Sequence, residues 1–191
     1  MNQRQYNAQL TKDKVYQSAI ELFESKGFDN ITVDEVCFNA GVSTGTFYNV
    51  FKSKNEILDI IFEKADTYFN EIVVPALQTG STKEKILLFF DYYADYNLQC
   101  GIRFTKQLYA AQSKLFIKSG RSMQVILANL LEEGVTSQSL HLPMEIDDAV
   151  RFLFIHVRGL VYNWCLHDGE IDLKGMIQAH VGQLMDAWLI S

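Results

Sequence analysis

The chain is predicted to be all-α, with an N-terminal three-helix helix-turn-helix domain over residues 1–53 and a larger helical domain over 54–191. Three observations carry this expectation. Apolar residues recur at spacings of three and four along most of the 191 residues, and sustained two-residue alternation is hard to find. Only two prolines, Pro75 and Pro143, interrupt the chain. Residues 32–54, reading TVDEVCFNAGVSTGTFYNVFKSK, carry two short apolar stripes parted by a glycine. A hydrophobic content of 48% argues for a globular chain with a substantial core.

The first helix is predicted from about Thr11 to Ser25, with Val15, Ala19, Leu22 and Phe23 facing a core, and Gly27 ends it. Thr32 and Glu35 stand at capping-box spacing and set the start of helix two, whose stripe is Val33, Val36, Cys37 and Ala40. Gly41 makes the turn, and Ser43 caps helix three. In that helix Phe47, Val50 and Phe51 turn inward, so Thr44, Gly45, Tyr48, Asn49 and Lys52 fall on the outward side, a small polar and aromatic surface shaped for a DNA groove.

Ser53 and Glu56 repeat the capping-box spacing at the head of helix four, expected from about Lys54 through Val74 and ended near Pro75. Its length suits a lever between head and body. A third box at Ser81 and Glu84 opens a helix to about Leu98, followed by helical patterns from Ile102 to Gln112 and from Ser113 to Val135. From Met144 to Leu166 the pattern is apolar nearly all round, so this helix must bury two sides, one on its own subunit and one on a partner. After His167, Asp168 and Gly169 comes a last helix with Ile177, Val181, Leu184, Met185 and Trp188 in a stripe. Two such helices from each chain make a four-helix homodimer interface, for which Phe152, His156, Gly159, Leu160, Trp164, Val181, Leu184, Met185 and Trp188 are the candidates.

The net charge of −6 looks wrong for a nucleic-acid binder, but it is unevenly placed. Residues 1–54 hold six basic and six acidic side chains, so all the excess acidity lies in the body. A neutral head binds DNA weakly alone, through Lys52 and Lys54 with Arg4, Lys12 and Lys14; two heads held together double those contacts. Cys37, Cys100 and Cys165 are far apart, with no paired spacing and no histidine at ligand spacing, which favours burial over metal or redox roles. No nucleotide-binding loop, nucleophile elbow or zinc-protease signature occurs, so neither an enzyme nor a cofactor is expected. Without an eighteen-residue apolar run or a signal-peptide core, the expected compartment is the cytoplasm and no membrane partner is implied.

The N-terminal pattern resembles the TetR family of bacterial transcriptional regulators. The residues that carry this are Ala19, Leu22, Phe23, Gly27, Phe28, the Thr32-Val33 start, the run Ala40 to Tyr48, and Phe51-Lys52-Ser53-Lys54. Departures are Cys37, where a small Ala is usual, Thr44, where a basic residue is common, and Asn49-Val50, where His and an aromatic are frequent. The resemblance implies operator contacts at Thr32, Thr44, Gly45, Thr46, Tyr48, Asn49 and Lys54, to which the residue reading adds Ser43 and Lys52. It also implies a dimeric regulator, most often a repressor, on a palindromic double-stranded operator; two such heads meet DNA roughly 34–36 Å apart or a multiple of it.

In the body the resemblance implies a small-molecule effector that moves helix four. Phe89, Tyr93, Tyr96, Phe104, Tyr109 and Phe116 are the candidate lining for an apolar or aromatic effector, with an ordinary aromatic core as the competing reading. Asp91 and Asp95 are expected on a solvated edge. A DNA-bound adaptor without a small-molecule switch is the alternative function.

Overall fold

The computed structural model describes residues 3–110, 116 and 119–190. Regular structure among them is helical, apart from an isolated antiparallel bridge between Leu140 and Leu189. The chain divides into two compact units: one takes in the chain up to Lys64 with a short segment beginning at Lys106, and the other holds Ala65–Thr105 and the C-terminal helices.

The first unit opens with α1 (Gln3–Lys26), which starts well before the expected Thr11. Its first two turns are exposed and rest on side-chain pairs four residues apart, Gln3 with Asn7 (3.2 Å) and Gln9 with Asp13 (2.9 Å), which leave no apolar signature. Val15, Ala19 and Phe23 are buried, and the buried Ser18 hydroxyl donates to the Val36 carbonyl (3.0 Å), fastening α1 to α2 (Val33–Ala40). A short 3-10 turn, Phe28–Asn30, buries Phe28 between the two helices' sequences. Gly41 closes α2 in the left-handed region at φ 64°, a conformation that a side chain disfavours, and its amide caps the helix on Cys37 and Phe38. α3 (Thr44–Val50) follows after the three residues Gly41, Val42 and Ser43, with Phe47 and then Phe51 in the core.

α4 (Asn55–Tyr68) begins in the first unit, and Ile57, Leu58 and Ile61 on it are buried, so the head extends past the expected boundary at residue 53. The capping box expected at Ser53 and Glu56 does not form. The Glu56 carboxylate instead accepts from the Lys52 amide (2.6 Å), one residue too early, and the helix starts at Asn55. The helix continues through a π turn (Phe69–Val73) into a last turn, Val74–Ala76. Pro75 has no N–H to give back to the preceding turn, and the Val74 amide reaches Phe69, five residues earlier.

The second unit adds α5 (Thr82–Cys100), α6 (Ile102–Ala110), α7 (Ser122–Thr136), α8 (Ile146–Leu166) and α9 (Leu173–Trp188). The capping box at Ser81 and Glu84 is present. The helix expected from Ser113 starts at Ser122, because Gly120 takes φ +79° and Arg121 then caps the new helix through Gln124 (3.1 Å). Gln112 and Ser113 lie outside the described residues. α5 is the central helix: Ile86, Phe89, Phe90 and Ala94 are fully buried, and the ring of Phe89 meets Phe69, Phe90 and Phe154. The seam between α5 and α9 is closed by Lys174, whose ammonium bridges Asp91 (2.9 Å) and Asp95 (3.0 Å). Those two carboxylates are thus half-buried partners of a lysine, not a free solvated edge. The Lys174 pKa is raised, first by its bonds to Asp91 and Asp95.

Candidate nucleic-acid interface

The starts of α2 and α3 are both fixed by side-chain capping, which leaves α3 presented rather than buried. Thr32 and Glu35 form the reciprocal box at α2, with the Thr32 amide donating to Glu35 (2.9 Å). A hydrogen bond from Lys26, then the bonds from Thr32, hold the Glu35 carboxyl down to about 2, so it stays ionised at the helix start where an anion is favoured. The Ser43 hydroxyl accepts from the Thr46 amide (3.1 Å) and pairs with the Thr46 hydroxyl (2.8 Å).

On the outward side Ser43, Thr44, Gly45, Tyr48, Asn49 and Lys52 are exposed together, with Thr46 half-buried beside them. Tyr48 is 56% exposed while Phe47 beside it is fully buried, and the two rings meet edge to face at 5.3 Å. Gly45 is not required by the protomer: a Cβ there would touch only the Ser43 hydroxyl, at 3.7 Å, so whatever the missing side chain admits comes from outside. The Thr44 hydroxyl donates to Asp34 of α2 (3.1 Å), a carboxylate that sequence reasoning did not place on this surface. It lies within the capping box, between Thr32 and Glu35, but only the fold shows that it meets α3. Cys37 is the buried neighbour of the same hydroxyl; burial raises its pKa and the Thr44 hydrogen bond opposes this.

Lys54 stands apart from that surface. Its ammonium donates to the carbonyls of Phe28 (2.8 Å) and Ile31 (2.9 Å) and lies 4.6 Å from the Phe28 ring centroid. It ties the 3-10 turn to the start of α4, whereas the sequence expectation put it on phosphate.

In the second unit, Phe89 and Tyr93 are buried in ring contacts with Phe154, and Tyr96 packs on Tyr68 and Phe69. Phe104 is also buried. A cleft of about 560 Å³ lies instead between α7 and α8, walled by Val125, Ala128, Val150, Phe154 and Ile155, and of the six aromatic candidates Phe116 borders it. Tyr109 does not line this cleft.

The outward face of α8 carries Phe152, Ile155, Gly159, Tyr162 and Leu166, with Phe152 40%, Ile155 63%, Tyr162 51% and Leu166 62% exposed. His156 and Leu160 are half-buried on its flank, and Leu184 is half-buried on α9. Trp164, Val181, Met185 and Trp188, assigned from sequence to a partner, are buried within the protomer. The strongest stripe of the last helix is its inward face. His156 and His180 link α8 to α9 through ring nitrogens 3.2 Å apart, and burial first, then His180, lowers the His156 pKa from 6.5.

No helix among the described residues is long and apolar enough to cross a membrane, and no group of three or more metal-ligating side chains is found there. Residues 15–61 match the family model of bacterial regulatory proteins, tetR family. The chain is 25% identical over 174 residues to the fatty acid metabolism regulator protein of Bacillus subtilis (strain 168), covering 85% of this chain and 88% of that one. It is 22% identical over 202 residues to the HTH-type transcriptional regulator AcrR of Shigella flexneri, covering 96% and 91%. Among solved structures, the transcriptional regulator FadR from Bacillus subtilis in complex with stearoyl-CoA shares the fold with a TM-score of 0.73 at 22% identity, over 90% of this chain and 96% of that one. FadR of Thermus thermophilus in complex with lauroyl-CoA does so at 0.68 and 19%, over 94% and 96%. A capped helix-turn-helix that bares one face of α3 and matches that family model over residues 15–61 makes the head of this chain a domain of the tetR family of bacterial regulatory proteins.

Proposed function

We propose that this regulator is a cytoplasmic repressor that binds a palindromic operator as a homodimer through two α3 faces and is released by an effector bearing a long acyl chain, of the acyl-CoA class. The single observation that carries the DNA reading is the joint exposure of Thr44, Gly45, Tyr48, Asn49 and Lys52 on a helix whose opposite side is fully buried at Phe47. Ser43 and Thr46 hold the start of α3, and Thr32, its own amide held by Glu35, caps the start of α2, the end of that helix that favours a phosphate. Lys54 acts from behind, by bracing the domain. The effector class is supported by the likeness to the two FadR proteins bound to acyl-CoA and by the apolar wall of the cleft between α7 and α8. The dimer reading is supported by the apolar stripe at positions 152, 155, 159, 162 and 166 of α8, which a second copy of the same helix would cover.

The test is selection of genomic DNA by the purified protein, followed by titration of palmitoyl-CoA against the bound fragment in fluorescence anisotropy. Release by palmitoyl-CoA and not by CoA alone is expected. If DNA is selected and footprinted as two half-sites but no acyl-CoA of any chain length releases it, the effector class is wrong while the operator reading stands.

A further inference from the structure

The cleft between α7 and α8 contains a cation that an apolar effector would not need. Arg158 donates from Nη1 to the Phe116 carbonyl (2.6 Å), and its Cζ lies 5.2 Å from the ring centroids of both Phe116 and Phe154. Its Nε–H is buried and has no acceptor. A guanidinium cannot shed its charge, so a lost acceptor is not relieved by deprotonation. The two ring faces attract the cation, yet they leave the Nε donor in need of an oxygen.

The rest of the lining sets the direction. Arg151, Ile155 and Arg158 follow one another at i, i+4 and i+7 along α8, so both guanidinium stems border the same trough with an apolar residue between them. Arg151 is exposed and rests 3.2 Å from Asp148. Val125 and Ala128 form the α7 wall, and Ser119, Gly120 and Gln124 close one end. The acidic member of the lining, Asp147, precedes Arg158 by eleven residues, about 16 Å along a helix axis. An apolar trough with a permanent, partly dehydrated cation remote from its carboxylate suits an amphipathic anion.

We propose that Arg158 is the anion-recognising residue of the effector site, taking a carboxylate or phosphate oxygen on Nε–H while the acyl chain lies along Val125, Phe154 and Ile155. This rests on the acyl-effector reading above and adds to it the group that reads the charged end. A planar donor held between two rings is already oriented, so the anion gains a charge-assisted bond without ordering a flexible side chain. The oxygen belongs either to a free fatty acid or to a CoA phosphate, and the two sources are separable by experiment.

Wild type, Arg158→Gln and Val125→Glu are compared by isothermal titration with palmitoyl-CoA, palmitate, CoA and 1-hexadecanol. Operator affinity and sedimentation serve as controls for folding. Wild type is expected to bind an anionic acyl ligand more tightly than the alcohol, and Arg158→Gln to weaken the anion by about tenfold or more while leaving the alcohol unchanged. Val125 is exposed, so the glutamate variant should fold; it is expected to weaken the anions selectively by adding a like charge to the trough. Preference for palmitate places a carboxylate on Arg158, and preference for palmitoyl-CoA places a phosphate there. Equal anion binding by wild type, Arg158→Gln and Val125→Glu overturns the assignment of Arg158 alone. Failure of wild type to bind any acyl ligand overturns the effector class and this site with it.

Discussion

On the proposed DNA face the Thr44 hydroxyl donates its proton to Asp34, which leaves its oxygen to accept from a base. In the major groove that selects the donors of adenine N6 or cytosine N4 over the acceptors of guanine and thymine. The carboxylate of Asp34 reinforces the same preference. Replacing Asp34 by Ala should therefore relax or invert base choice at one position per half-site, a change of about 1–3 kcal/mol that selection from a randomised operator would read directly. Unchanged preference would show that Thr44 faces phosphate. Lys52→Ala should behave differently, weakening all sequences alike and reducing the salt dependence by about one ion per protomer, measured from affinity at several salt concentrations. The sequence showed Thr44, Tyr48, Asn49 and Lys52 because helical counting around Phe47 suffices to place them. It misplaced Lys54 and missed Asp34, since the direction of a long side chain beside a loop, and a contact between two helices ten residues apart, are properties of the folded turn.

At the scale of the helix, periodicity identifies what faces a protomer's own core and says little about what faces a partner. The stripe Ile177, Val181, Met185 and Trp188 is the inward side of α9, and the outward side of α8 mixes Phe152 and Tyr162 with Gly159. Polar pairing at the start of α1, the slipped bond of Glu56 and the break at Gly120 likewise left no apolar rhythm to read. Two glycines separate these roles by experiment. A Cβ on Gly134 of α7 would lie 2.6 Å from Leu140 and 2.7 Å from Thr82, so Gly134→Ala should cost about 1–3 kcal/mol and lower the melting temperature. On Gly159 it would meet nothing within 4 Å, so Gly159→Ala should not destabilise the protomer. The junction of α8 and α9 should also sense acid. His156 titrates below its ordinary 6.5 in the fold, so it binds fewer protons folded than unfolded. Its contribution is intact above 6.5 and is lost as pH falls through the depressed value. Melting temperature should decline on acidification below 6.5, and less steeply in His156→Gln.

For the whole molecule, charge makes oligomerisation a condition of function rather than an accessory to it. The first 54 residues carry no net charge and the remainder carries all of the −6, so one head attracts DNA weakly while the body repels it. Joining two heads converts the second binding event into an intramolecular one, which multiplies affinity without any new type of contact. The face proposed for this joint is the exposed run on α8, where Tyr162 is open to solvent in the protomer. Tyr162→Glu places two like charges near a two-fold axis and takes away two aromatic surfaces that a partner would bury. Sedimentation should then show a folded monomer with unchanged helical content, and operator affinity should fall by about a hundredfold or more. A dimer that persists would move the interface away from α8. A monomer that still binds the full operator with wild-type affinity would break the link between head charge and pairing, and would leave the neutral head to be explained by base contacts alone.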